Sequence, residues 1–256
     1  MHIEQEPFLK DAREATRRST CTYSSPESGC RVDNLGREPR LVPDAAGHYF
    51  GVHFNSPNDV VWAHRPNADA LFFTDNSFGN VLHNVTGPTQ LPSTVWRFDP
   101  QAQSLQAVIS RAEIPDPNDL ATNPNSTKLY VTDTPISELQ GRGLGNATGS
   151  PAVYAYDLDE TLTPVNKRLF ALAREGVPDG IKVDRYGRVW TAEGEGVVVR
   201  NPQGKVLGLF NVHKRVEDDP LHIANFGFAD DRLIVLAATQ IWSIRLGQTL
   251  GWTVSA

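Results

Sequence analysis

The chain has 256 residues, of which 39 % are hydrophobic and 21 % charged, with a net charge of −6 and two cysteines. That length suits one large soluble domain. No Lys/Arg-rich run marks a nucleic-acid partner, no run of roughly 18 apolar residues marks a membrane span, and two cysteines are too few for a zinc finger or a disulfide scaffold.

The 18 prolines and 20 glycines point to many short elements joined by turns. Residues 1–30 read as an atypical N-terminal segment, and residues 31–256 as one repeat domain. Met1 to Glu6 has neither a basic nor an apolar signal region, so the default compartment is the cytoplasm. Three sequons, at Asn84, Asn125 and Asn146, are a weak hint of secreted relatives. Residues 8–18 mix acidic and basic side chains and are the one candidate amphipathic helix. Cys21 and Cys30 form either a local disulfide or two free thiols.

From residue 56 onward four units share a plan. Each opens on an apolar strand, crosses a polar turn and returns on a second strand. The first unit pairs Ser56 to Trp62 with Leu71 to Asp75. The second pairs Asp116 to Ala121 with Lys128 to Asp133. The third pairs Val177 to Val183 with Arg188 to Ala192, and the fourth, more diverged, pairs Ala224 to Phe228 with Leu233 to Ala237. A third strand follows in each unit, beginning at Val95, Val153, Val197 and Ile241. A fourth follows in three of them, at 105–109, 168–172 and 206–210. Alternating β-branched and aromatic residues between Gly, Pro, Asn and Asp turns predict strands. Four strands recurring every ~45 to 60 residues predict the blades of an all-β propeller. A β-sandwich is the runner-up, but it does not require the same tripeptide at the head of successive units.

The first strand of a propeller blade lines the central axis. Asn58, Asn118, Asp179 and Asn225 hold equivalent places there, and each carries a side-chain oxygen. Such a set suits a hard divalent cation, Ca²⁺ first, then Mg²⁺ or Mn²⁺, with Zn²⁺ also able to accept oxygen ligands. Taken singly, Pro-Asn-Asp and Pro-Asp-Gly are ordinary turn sequences. Their recurrence in successive units is what favours an axial site.

The segments Phe54 to Val61, Leu71 to Asp75, Leu129 to Thr134 and Val177 to Asp184 resemble the gluconolactonase/SMP-30/regucalcin-like family, its fungal members above all. The resemblance runs from about residue 48 to about residue 246, with the motifs in the family's order. It implies a six-bladed propeller with a divalent metal at the axis and a metal-activated water that opens a lactone or related cyclic ester. It implies Asn118 and Asp179 as metal ligands, Asp179 also as general base, and Asn58 as an axial residue contacting metal or substrate. Asp75 and Asn225 are carried over as substrate-side residues with less specific support. His53 is a further substrate-side candidate from its position alone, just before the axial strand, where a surface or packing role is the commoner one.

The family's first blade also supplies a Glu in a Glu-Gly-Pro-like motif, and no such motif occurs here. Residues 31–44 resemble the outer half of a blade, giving about four blades and a partial fifth where the family has six. The expectation is therefore an incomplete or atypically closed propeller, with self-association as one way to cover its open edges. Glu4 and Glu6 lie in no matching motif. A non-catalytic or repurposed propeller, binding a ligand or serving a biosynthetic step, stays open as the alternative. His213, His222 and the Gly141 to Gly145 loop read as surface or loop features. Trp62, Trp96, Trp190 and Trp242 read as blade packing, and Phe78 and Phe226 as pocket or core residues.

Overall fold

The computed structural model describes residues 47–136, 149–212, 223–237 and 240–250. The two cysteines, the 8–18 helix candidate, Glu4, Glu6, the 31–44 half-blade, the Gly141 to Gly145 loop, Asn146, His213 and His222 lie outside them. Among the described residues no helix is long and apolar enough to cross a membrane, which says nothing of a β-barrel.

A two-stranded hairpin comes first, from β1 (His48–Tyr49) and β2 (Val52–His53). Four antiparallel meanders follow. Blade I holds β3 (Pro57–Arg65), β4 (Ala68–Asp75), β5 (Thr94–Asp99) and β6 (Ser104–Ile109). Blade II holds β7 (Pro117–Thr122), β8 (Lys128–Asp133), β9 (Ala152–Leu158) and β10 (Pro164–Leu172). Blade III holds β11 (Ile181–Val183), β12 (Val189–Glu193), β13 (Gly196–Arg200) and β14 (Val206–Phe210). Blade IV holds β15 (Ile223–Ala229), β16 (Arg232–Ala237) and β17 (Gln240–Arg245). The first strands of successive blades touch one another, β3 with β7, β7 with β11 and β11 with β15. They therefore form the inner ring of a propeller arrangement, in line with the strand plan of the sequence. A one-turn helix, α1 (Phe78–Val81), interrupts the link between β4 and β5.

Period-two patterning divides each strand between two interfaces. On β8, Leu129 and Val131 face blade I and, with Leu120 of β7, join Phe72 and Val95 there. Tyr130, between them, faces blade III and joins Ile181 and Val189. On β12, Trp190 and Ala192 turn the other way, onto Phe226, Val235 and Trp242 of blade IV. Three apolar clusters thus fill the three gaps between four sheets. Phe226 belongs to this core, and Trp96, Trp190 and Trp242 are buried in blade packing as the patterning implied. Trp62 differs: it is 41 % exposed, because it lies on the face of blade I that no other blade covers among the described residues. On that face Tyr49 and Phe54 from the hairpin region pack over Phe73 and Trp96, with ring centroids 4.6 to 5.4 Å apart. At the far end, Leu236 and Ile241 are exposed on the outer face of blade IV.

Candidate functional site

The axial residues owe their placement to a repeated irregularity. In blade I the ladder pairs Pro57 with Asp75 and next Val60 with Phe73, so three steps on β3 match two on β4. In blade II Pro117 pairs with Asp133 and next Leu120 with Val131. Each inner strand therefore carries a one-residue bulge at its Asn-Asp pair. A bulge releases the backbone from strict alternation, so two consecutive side chains reach inward. The amide N–H freed by the bulge needs a partner. Asp59 N donates to Thr74 Oγ1 at 3.1 Å and Asp119 N to Thr132 Oγ1 at 2.9 Å. The Thr that precedes Asp75 and the Thr that precedes Asp133 thus complete the inner strands.

The structure brings three of the expected residues together. Asn58 Nδ2 donates to Asn118 Oδ1 at 2.7 Å, and Asn118 Nδ2 donates to Asp179 Oδ1 at 2.6 Å. These side chains come from blades I, II and III. Burial pushes the Asp179 carboxyl up to about 7, against the pull of the Asn118 hydrogen bond and of Lys182; Asp59 pushes it up further. Asn58 is exposed, Asn118 buried and Asp179 half-buried, so the run of hydrogen bonds leads from solvent into the axis through Asn118.

Beside it lies a second cluster that local patterning did not single out. Asp59 Oδ2 accepts from Leu120 N at 3.1 Å. Asp119 Oδ2 accepts from Ile181 N at 3.0 Å, Lys182 Nζ at 3.2 Å and Asn225 Nδ2 at 3.3 Å. Each Asp so ties its own blade to the inner strand of the next. Burial pushes the Asp119 carboxyl well above the usual carboxylate range; Lys182 opposes this and Asp59 reinforces it. Burial by itself would lower the Lys182 ammonium, but Asp119 and Asp59 outweigh it and hold it above its ordinary value. The sequence signal was present in the third residue of each Pro-Asn-Asp tripeptide, but it resembles turn chemistry until the bulge is seen.

The remaining candidates fall elsewhere. Asn225 reaches the axis but bonds Asp119, not Asp179. Asp75 is fully buried, and its two oxygens accept from Asn55 N at 3.0 Å and Ser56 N at 2.7 Å. Asp75, a substrate-side candidate in the sequence, here anchors the loop that leads into β3. Asp133 does the same for Asp116 N and Ser150 N, and Glu193 for Arg174 N. In blades I to III the acidic residue that ends the second strand is thus a loop anchor. His53 is exposed on β2, its ring against His48, and it shares no hydrogen bond with the axial three among the described residues.

The donors at the axis fit a hard cation. Three side chains able to offer oxygen, Asn58, Asn118 and Asp179, end within hydrogen-bonding distance of one another in sequence. Nearby, the carboxylates of Asp59, Asp119 and Asp179 face one ammonium, that of Lys182. Such an excess of enclosed negative charge is unfavourable unless a cation or protons offset it.

A family model described as SMP-30/Gluconolactonase/LRE-like region matches residues 45–217. The chain is 27 % identical over 226 residues to a gluconolactonase of Zymomonas mobilis, covering 84 % of this chain and 56 % of that protein. It is 28 % identical over 218 residues to a lactonohydrolase of Aspergillus oryzae, covering 78 % of this chain and 46 % of that protein. A solved gluconolactonase of Xanthomonas campestris superposes with a TM-score of 0.62 at 30 % identity, covering 78 % of this chain and 60 % of that one. The chain spans about half the length of the curated relatives it matches.

Proposed function

Because the chain belongs to the SMP-30/gluconolactonase/LRE-like family, we propose that its axial site opens a lactone or related cyclic ester by hydrolysis. The observation that carries this reading is the run Asn58–Asn118–Asp179, a solvent-facing amide leading to a carboxylate that burial holds near neutrality. The names of the relatives, gluconolactonase and lactonohydrolase, support the substrate class.

Asn58, Asn118 and Asp179 would hold a divalent cation, Ca²⁺ before Zn²⁺, Mg²⁺ or Mn²⁺, because all three offer hard oxygen donors. Bound there, the cation supplies Lewis-acid polarisation of the ester carbonyl. The protein's own part is proton transfer and orientation. One Asp179 oxygen is engaged by Asn118 Nδ2, which leaves Oδ2 to accept a proton from water as the water oxygen attacks the carbonyl carbon. When the ring C–O bond breaks, the same carboxyl returns that proton to the departing alkoxide, and a hydroxy acid results. Asn118 fixes the direction of the carboxylate, and Asn58 meets the substrate side of the site.

The test is base uptake in a pH-stat with an aldonolactone, with and without each divalent cation. Positioned general bases contribute about 10² to 10⁴ in rate, so Asp179→Asn should lose at least about 10²-fold. Turnover no faster than spontaneous ring opening under every cation, or an Asp179→Ala protein as fast as wild type, would refute the proposal. A folded protein that binds lactones without opening them would instead favour the non-catalytic alternative.

A further inference from the structure

Thr134 follows directly on β8 and is fully buried. Its hydroxyl donates to Pro178 O at 2.5 Å, the carbonyl immediately before Asp179. The same oxygen accepts from Asn118 Nδ2 at 3.2 Å. A hydroxyl has a single proton to donate, and a carbonyl oxygen can only accept. Once that proton is committed to Pro178, Thr134 Oγ1 can present only a lone pair to Asn118.

An Asn amide has two nearly isosteric orientations, and its neighbours decide between them. With Thr134 restricted to accepting, the orientation that places the Asn118 NH₂ against Thr134 is satisfied. The flipped orientation would set an amide oxygen against a hydroxyl oxygen whose proton is already used. We propose that Thr134 sets the polarity of the Asn118 amide, turning its oxygen toward Asn58 and away from blade III, and in the same contact fixes the backbone that carries Asp179. Thr134 is a positioning residue. It acts through Asn118 and Asp179 and touches no substrate.

Blade I supports the assignment with a partial copy of the device. Asn76, which follows Asp75 as Thr134 follows Asp133, donates Nδ2 to Pro117 O at 3.1 Å, the carbonyl immediately before Asn118. In both blades the residue after the loop-anchoring Asp holds the carbonyl that precedes the next axial side chain. Only Thr134 also bonds an axial side chain. That difference matters because Asn118 is the middle of the hydrogen-bonded run: reversing its amide would break the contact to Asn58 and the contact to Asp179 together.

The functional consequence rests on the hydrolase reading above, since an inward-facing Asn118 oxygen matters most as a cation donor. The test therefore has two independent arms, both on the full chain. In ¹⁵N-labelled protein the Asn118 side-chain NH₂ is assigned by its disappearance in Asn118→Asp. Hydrogen exchange of that NH₂ is then compared in wild type, Thr134→Val and Thr134→Ser. Valine keeps the shape and removes the hydroxyl; serine keeps the hydroxyl. The expected result is exchange at least about tenfold faster in Thr134→Val and unchanged within about threefold in Thr134→Ser, by loss of one hydrogen-bond acceptor. Thr134→Ala replaces the valine variant should that one fail to fold. Equal exchange in wild type and Thr134→Val, or equal loss in the serine and valine variants, overturns the assignment. In the second arm, calorimetry with Ca²⁺ alone should show binding weakened at least about tenfold in Thr134→Val and restored in Thr134→Ser. Wild type that takes up no divalent cation would overturn the cation reading, while amide exchange still decides the role of Thr134.

Discussion

Gly180→Ala adds a single methyl group at the axis, and the structure indicates what that methyl meets. A Cβ on Gly180 would lie 2.6 Å from Asn225 Oδ1 and 2.9 Å from Asn225 Cα. The first contact could be relieved by turning a side chain. The second cannot, because Cα moves only with the inner strand of blade IV. That strand is held against blade III by Gly180 N donating to Ala224 O at 2.9 Å, and against blade II by Asn225 Nδ2 donating to Asp119 at 3.3 Å. Forcing extra volume into a packed site costs about 1–3 kcal/mol. Loosening the two hydrogen bonds adds about 0.5–1.5 kcal/mol each. Reduced freedom of the unfolded chain returns about 0.4–1 kcal/mol. The expected net loss is about 1–5 kcal/mol. Urea titration followed by tryptophan fluorescence measures it, and Trp190 and Trp242 lie in the core between blades III and IV that would part. A Gly180→Ala protein within about 0.5 kcal/mol of wild type would show that blade IV is not seated on the axis as described. A second check comes from Asn225→Ala. It removes the Oδ1 contact but keeps Cα, so it should rescue part of the loss and not all of it.

Three further outcomes follow from the same contacts. Arg200 is buried against Glu193 at 2.6 Å, so Arg200→Met strands a buried carboxylate and should cost about 3–5 kcal/mol; adding Glu193→Gln should recover most of it, and a double variant as unstable as the single one would refute the pairing. Asp75→Ala leaves the Asn55 and Ser56 amides without their acceptor, at about 1–3 kcal/mol for each group left unsatisfied; limited proteolysis should then cut first in the loop before β3, and unaltered cleavage there would count against the anchor. Burial raises the folded-state carboxyls of Asp75 and Asp133 from 3.8 to about 6. Their contribution is therefore fully present below about pH 4 and is lost as pH rises through 6, on the order of 2–3 kcal/mol for each group. Urea midpoints should fall between pH 4 and pH 6.5, and a steady rise over that range would contradict the sign.

The blades were legible in the sequence because their cause is local. Alternation such as Leu129-Tyr130-Val131 divides side chains between two sheet faces whatever the rest of the chain does. Strands spaced by Gly, Pro, Asn and Asp turns then had to form meanders. The equivalence of Asn58, Asn118 and Asp179 followed as well, since repeated units place equivalent residues at equivalent radii. The grouping of these three residues by hydrogen bonds agrees with that symmetry.

What the sequence left undecided concerns residues whose roles depend on a partner in another blade. Asp75 stood at the end of its strand with nothing local to mark it as an anchor; its two backbone donors lie 19 and 20 residues away. Asn225 shares the axis with Asp179 by symmetry, yet it bonds Asp119, 106 residues distant in the chain. Asp59 and Asp119 looked like turn formers until a one-residue bulge turned them inward. Thr134, just past its strand, had nothing local to single it out, although it bonds both Asn118 and the carbonyl before Asp179. Periodicity and turn chemistry act between near neighbours, so they determined which residues line the axis. Hydrogen-bond polarity and charge pairing act between blades, so only the tertiary structure decided which of those residues join in the run from Asn58 to Asp179 and which hold the others in place.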